Sequence, residues 1–564
     1  MKSTPKEAPL VKSEVPSKAT ATRETRQKAP QARHWASHWH YLLLALVVLS
    51  FALIRFRLRD MPLERDEGEY AYAGQLISQG IAPYQSVYAM KLPGTYAAYA
   101  CLMAIFGQSP SGIHLGLMVV NAATIFLVFL LGLRLFGRLA GFVAGASYAL
   151  LSTSESVLGF AAHATHFSVL PALAGTLLLL IAVENGKRMG LYFSSGLLLG
   201  LAFLMKQPGI FFVLFGGLYL LKSEAKEPVA WRQMGSKLGM FSLGAAAPFL
   251  LTCFVLWRAG VLRKFFFWTF TYASQYASAN TVLQALPVLK LVGPGVLGAS
   301  VYLWILALLG MTAFVWDSGV RKHAWFSVAF LLFSFLAVCP GFFFRQHYFI
   351  LMLPALALLV GLGVSSASAK FASTAAMRPF AFVPVLAFAA AFAYSVAEQA
   401  EFFFQMDPVA ACRSVYAPNP FPEAVAIADY INTHSKKNSQ IAVLGSEPEI
   451  YFYAKRHAAT GYIYTYELME RQKYASTMQQ EMIREIESAQ PDYIVNVDVF
   501  FSWFPREGSD QAIFAWAREY LGANYERVGV VEVGRTTEYY WDDGAKTAKP
   551  QSSNRIEVFR RKAS

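Results

Sequence analysis

Long apolar runs separated by short polar ones dominate the first 400 residues, and the pattern changes sharply afterwards. The run from Tyr41 to Phe56 is almost purely apolar. With its flanks it approaches the roughly 20 residues that cross about 30 Å of hydrocarbon. Further apolar runs fall near 113–134, 139–157, 165–184, 190–205, 209–221, 238–258, 293–316, 325–340, 347–365 and 379–397. They predict about eleven membrane crossings, with 190–221 split at Lys206-Gln207-Pro208-Gly209, because Pro, Gly and a charge together interrupt a helix. Read as one tilted helix, that segment would reverse the sidedness of everything after it.

Residues 1–39 carry Lys, Arg, Pro, Ser and Thr without apolar periodicity and are expected to be a disordered tail. The basic stretch is too long, and lacks the small-residue cleavage site, for a secretory signal. A cytoplasmic tail puts Arg134 and Arg138, Lys187 and Arg188, the stretch 222–237, Arg321 and Lys322, and Lys370 and Arg378 on the same side, as the positive-inside rule demands. An odd number of crossings then leaves the part after residue 400 outside. From Phe421 that part alternates predicted helices (422–434, 477–489, 510–521) with predicted strands (440–445, 492–497, 527–533, 555–559). Such alternation is the pattern of a small α/β domain. The expected organisation is a tail at 1–39, a transmembrane domain at 40–400 with a first outer loop at 60–112, and an outer α/β domain at 401–564.

Composition changes this picture little. The chain is 55% hydrophobic, 15% aromatic and only 15% charged, against about a quarter charged in soluble domains. The formal charge of +13 sits largely in the tail and short loops, which topology explains without nucleic acid. Four cysteines lie far apart and form neither a disulfide framework nor a zinc spacing. Gly445-Ser446-Glu447-Pro448 follows a strand but lacks the three-glycine spacing of a dinucleotide site.

The candidate chemistry gathers on one side. Asp66, Glu67, Tyr70, Lys91, His163, His166, Lys206, Arg345, His347 and Tyr348 all fall at the predicted outer ends of apolar runs. Ionisable groups at membrane depth cost at least roughly 2.5 kcal/mol each, so a shared side implies a shared cavity. Carboxylates beside cations suit transfer of a sugar from a lipid phosphate: a base such as Asp66 takes the acceptor proton, and Lys91 and Arg345 stabilise the phosphate leaving group. Each residue also has an ordinary reading. Acidic residues favour the first turn of a helix, and Lys91, Lys206 and Arg345 suit cations that snorkel to headgroups. His163 and His166, three apart, are expected on one helix face, lining the cavity or joining Asp66 around a divalent metal. The aromatic stretch from Arg263 to Tyr276 is expected to anchor at the interface.

The Asp66-Glu67 pair after the first span, Lys91-Leu92-Pro93 in the same loop, and Phe344-Arg345-Gln346-His347-Tyr348 running into Leu353-Pro354-Ala355-Leu356 resemble the GT-C superfamily of integral membrane glycosyltransferases. The closer likeness is to the branch of protein O-mannosyltransferases, the lipid A aminoarabinose transferase and rhizobial lipopolysaccharide galacturonosyltransferases. It covers about 41–400, and the tail domain resembles those that follow the spans in many bacterial members. The resemblance implies that Asp66 is the catalytic carboxylate, that donors are polyprenyl-phosphate sugars, and that Lys91 meets the lipid phosphate. This chain has Lys-Leu-Pro where the aminoarabinose enzyme typically has Lys-Pro-Pro.

The expectation is therefore a bacterial inner-membrane glycosyltransferase with its site on the periplasmic side. It would pass a sugar, with inversion, to a lipid, glycan or protein acceptor. No cofactor is expected, with room for a divalent metal; the partners are the donor, the acceptor and membrane lipids. The competing readings are a flippase for such lipids, which would favour repeated halves and a midplane site, and a membrane-anchored binding protein, which would leave some ten spans unexplained.

Overall fold

The computed structural model describes residues 38–186, 188–224, 231–278, 280–534, 537–549 and 551–563. The expected tail, except its last two residues, and Lys187 and 225–230 of the basic loops lie outside the described residues.

Each predicted apolar run overlaps a helix, though the run at 139–157 leaves its helix at Leu151 and ends in a 3-10 turn, Glu155–Val157. Seven helical segments are long and apolar enough to cross a membrane: Trp39–Arg57, Pro110–Phe136, Ala164–Asn185, Trp231–Arg258, Val282–Trp316, Leu353–Ser373 and Arg378–Glu398. Arg138–Leu151, Met189–Met205 and Ala324–Val338 are shorter apolar helices, and Ile210–Glu224 adds a fifteen-residue one. The break within 190–221 is present: a 3-10 turn, Gln207–Gly209, separates Met189–Met205 from Ile210–Glu224. Glycine lets the helices approach closely. A Cβ on Gly196 would lie 2.0 Å from the Phe241 carbonyl oxygen on the neighbouring helix.

Two expectations change. The run at 347–365 does not begin as a helix: Gln346–Leu351 is a 3-10 stretch, and the long helix starts at Leu353 with Pro354 in its first turn. Proline suits that turn because its missing N–H would be unpaired there anyway. The aromatic stretch after Arg263 is not simply an interfacial anchor. Phe266 and Phe270 are exposed, but Phe265, Trp268 and Tyr272 are buried, packed in one cluster with Tyr84, Tyr88 and Tyr462.

The first loop contains two helices, Arg65–Ser78 and Gly94–Phe106. The C-terminal part forms a six-stranded mixed sheet: β1 (Gln440–Leu444), β2 (His457–Ala458), β3 (Tyr493–Asp498), β4 (Tyr525–Glu532), β5 (Glu538–Trp541) and β6 (Arg555–Arg561), ordered β2-β1-β3-β6-β4-β5. β1 runs parallel to β2 and β3, and the remaining pairs are antiparallel. Side chains alternate across a strand, and here the alternation sorts two cores. Ile441 and Val443 join Tyr70, Tyr96 and Tyr99 of the first loop, while Ala442 and Leu444 face the cluster of Tyr84, Tyr88 and Trp268. Loop helices and sheet are thus packed as one body.

Candidate active site

The helix Arg65–Ser78 opens with a capping box in which the Glu64 side chain accepts from the Glu67 N–H at 3.0 Å and Glu67 accepts from the Glu64 N–H at 3.2 Å. This reciprocal pairing satisfies two N–H groups that a helix start leaves open, and it fixes the direction of the next three side chains. Arg65 reaches the C-terminal part: its guanidinium donates to the Ser446 carbonyl at 2.6 Å, Tyr466 Oη at 2.9 Å and Asn419 Oδ1 at 3.0 Å, and pairs with Glu447 at 3.3 Å. Glu67 points inward, fully buried; it accepts the Ala162 N–H at 2.6 Å and faces His114 Nε2 at 3.0 Å. Burial works to raise the Glu67 pKa, but His114 and the Ala162 N–H hold the carboxyl below its ordinary value.

Asp66 lies between them and is the carboxylate with an open side, its side chain 18% exposed. Lys91 Nζ sits 2.7 Å from Asp66 Oδ1 and 2.7 Å from Glu69 Oε2. Tyr96 donates to the other Glu69 oxygen at 2.6 Å. The Lys91 ammonium also lies 4.6 Å from the Tyr70 ring centre and 5.3 Å from that of Tyr464. Although burial opposes it, this lysine keeps Asp66 well below the usual carboxylate range. Glu64 goes the other way, pushed well up by burial and by the Asp66 and Glu67 charges.

Two imidazoles form the opposite wall. His163 and His347 stack at 4.1 Å with planes 14° apart, and His347 Nε2 is 4.0 Å from Asp66 Oδ2. Burial lowers His163 to about 4 and pushes His347 well down too, so both rings are neutral at pH 7. Neither ring nitrogen of His163 has a hydrogen bond. Ligand atoms of Asp66, His163 and His347 lie within 4.8 Å of one another, the one such grouping among the described residues. Lys206, at the helix break, places Nζ 4.4 Å over the Tyr348 ring, and burial lowers it to about 8. Arg345 is exposed at the rim, and its guanidinium is charged at any working pH.

The turn bearing Lys91 is clipped to that break. Thr95 donates to the Met205 carbonyl at 2.8 Å, Gln207 donates to the Met90 carbonyl at 2.6 Å, and a Cβ on Gly94 would lie 2.4 Å from the Leu204 carbonyl oxygen.

Of the expected residues, the structure assembles Asp66, Tyr70, Lys91, His163, Lys206, Arg345, His347 and Tyr348 about one space. Glu67 stands behind it as a buried brace. His163 and His166 do not share a helix face: His163 is the cap residue with extended backbone, outside Ala164–Asn185, and His166 is buried within that helix. Sequence reading does not single out Arg65, Glu69, Tyr464 or Tyr466. Glu69 sits three residues after Asp66 on one helix face, a spacing that marks it as a neighbour. The tyrosines come from some 400 residues away, and no local pattern connects them. Chemically, the space offers an ionised carboxylate with an open side, two neutral imidazoles and three cations. That set can take a proton from a hydroxyl and hold a phosphate.

A family model described as dolichyl-phosphate-mannose-protein mannosyltransferase matches residues 91–257. No curated protein matches the sequence. Among solved structures, ArnT from Cupriavidus metallidurans bound to undecaprenyl phosphate is similar over 93% of this chain and 98% of its own, at 15% identity and a TM-score of 0.56. Archaeal oligosaccharyltransferase AglB from Archaeoglobus fulgidus, in complex with an inhibitory peptide and a dolichol-phosphate, is similar over 90% of this chain and 75% of its own, at 13% identity and a TM-score of 0.52.

Proposed function

For a multi-pass membrane chain that has the GT-C fold, we propose glycosyl transfer from a polyprenyl-phosphate sugar to a hydroxyl acceptor on a lipid, glycan or protein at the extracytoplasmic face of a bacterial inner membrane. The observation that carries this reading is the Asp66–Lys91 pair at 2.7 Å, a base and a phosphate-binding cation side by side in a space lined by further cations. The undecaprenyl phosphate bound to ArnT and the dolichol-phosphate bound to AglB agree with it.

In the reaction, the acceptor oxygen gives its proton to Asp66 and bonds the anomeric carbon as the bond from that carbon to the phosphate oxygen breaks. The electron pair leaves on polyprenyl phosphate. One displacement inverts the anomeric centre. The leaving phosphate is weakly basic, so it needs positive charge more than a proton; Lys91, Lys206 and Arg345 supply it. Glu69 keeps Lys91 beside Asp66, and Glu67 fixes the helix that carries the base.

A second reading has one observation behind it, the Asp66, His163 and His347 grouping. The unbonded His163 nitrogens suit a divalent cation, which would supply Lewis-acid charge for the phosphate. Because Lys91 already neutralises Asp66, turnover is expected to stay within about twofold after exhaustive chelation. A loss restored by a divalent ion would hand the charge role to this grouping.

The deciding assay reconstitutes the purified protein with a panel of polyprenyl-phosphate sugars and compares it with Asp66→Asn. Undiminished turnover in the variant sinks the proposed base. Lipid movement across the bilayer without transfer to any acceptor would favour a flippase.

A further inference from the structure

The segment Thr460–Tyr466 of the C-terminal part lies against the site and is held rigidly. Its Gly461 carbonyl accepts the Tyr88 N–H at 2.8 Å, and a Cβ on Gly461 would come 2.5 Å from the Tyr88 ring, so only glycine permits the contact. Tyr462 is buried and donates to Glu481 at 2.7 Å. Thr465 bonds Ser446 through its N–H and its hydroxyl, both at 2.9 Å. The Tyr466 hydroxyl accepts from Arg65 and donates to the Phe501 carbonyl at 2.6 Å.

Tyr464 is the exception in this fastened segment. Its ring is partly exposed, packs edge-on against Tyr466 at 4.9 Å, and stands 5.3 Å from Lys91 Nζ. Among the described residues nothing bonds its hydroxyl. Asp66 and Lys91 are among its electrostatic neighbours. The backbone on either side is locked while this one side chain faces the site with an open ring and a free hydroxyl. That is the arrangement of a preorganised contact rather than of a core residue.

The position identifies the ligand portion. An acceptor oxygen on Asp66 must approach the anomeric carbon to about 3–3.5 Å, and the phosphate must reach Lys91. The sugar ring therefore lies beside the Asp66–Lys91 pair, where Tyr464 faces it. Aromatic faces with a polar tip suit a ring that presents both C–H and hydroxyl groups. We propose that Tyr464 is a specificity-determining contact for the sugar of the donor, so that the C-terminal domain forms one wall of the donor site. This rests on the polyprenyl-phosphate-sugar reading above.

The test titrates full-length protein in nanodiscs with polyprenyl-phosphate sugars and, in parallel, with polyprenyl phosphate lacking a sugar, reading equilibrium binding. Tyr464→Ala is expected to weaken the sugar-bearing lipids about 10-fold while the sugar-free lipid stays within about twofold. Tyr464→Phe, which keeps the ring and loses the hydroxyl, is expected to reorder the preference among sugars that differ at one hydroxyl. Equal weakening of both lipids overturns the proposal, as does unchanged affinity for every donor in a variant that melts with the wild type. If Tyr464→Ala melts early, Tyr464→Phe decides, and an unaltered ranking overturns the proposal. Because binding is read, a wild type without turnover would count against the Asp66 chemistry and still leave the Tyr464 comparison informative.

Discussion

At the scale of single residues, one charge pair organises the site, and its consequences are measurable. Replacing Asp66 with Asn removes the proposed base and keeps the shape, so turnover is expected to fall about 10²–10⁴-fold with the melting temperature nearly unchanged. The pH profile follows from the neighbouring groups. Asp66 is held below the ordinary carboxylate range, so activity is expected to persist as pH falls through the range where free carboxylates protonate. Lys206 is lowered to about 8 by burial. Below that pH it is charged and able to assist the phosphate in the proposed transfer; above it the charge is lost and the rate is expected to decline. Lys206→Arg stays protonated throughout, so the alkaline limb should move upward in a rate–pH titration; a limb that stays in place assigns it to another group. Asp66, Lys91 and Arg345 were legible in the sequence because charges at the ends of apolar runs are conspicuous. The opposed tasks of Arg65, Asp66 and Glu67 were not, since their separation depends on helix phase and on partners as distant as Ala162 and Glu447.

At the scale of elements, the helix Arg65–Ser78 matters most, and its seat on the C-terminal part depends on Gly68. A Cβ there would lie 2.6 Å from the Glu449 backbone nitrogen, a contact that cannot be relieved by turning a side chain. Gly68→Ala is expected to cost about 1–3 kcal/mol in denaturant unfolding and to lower turnover by displacing Asp66. An unchanged unfolding midpoint would show that the helix can shift without loss. Boundaries were readable where local chemistry punctuates the chain: Lys206 to Gly209 break a helix as Pro and Gly require. They were unreadable where apolar residues continue through a change of geometry. Gln346–Leu351 looks like the start of a span, yet it winds as a 3-10 turn that carries His347 to Asp66. The two-residue β2 and the edge strand β5 are too short to show a period.

At the scale of the whole molecule, the first loop and the sheet are one folding unit although some 300 residues separate them. Tyr453 Oη accepts the Leu63 N–H at 2.8 Å, and Tyr72 Oη accepts that of Ala458 at 2.8 Å, across the same face on which Tyr70 meets Ile441 and Val443. Amides of residues 65–78 and of β1 are expected to exchange hydrogen with the same protection, because neither opens without exposing the other; independent rates would refute a common unit. The α/β pattern of the C-terminal part predicted the sheet, but not its docking, since periodicity reports a buried face without naming what buries it. The clip between the Lys91 turn and the end of Met189–Met205 reaches further still. Seventeen residues make roughly 25 Å of helix, short against about 30 Å of hydrocarbon, and so short a helix is accommodated by local thinning of the bilayer. The cation beside Asp66 is thereby tied to the thickness of the surrounding lipid, so the rate of the proposed transfer is expected to vary with acyl-chain length when it is assayed in nanodiscs of different lipids.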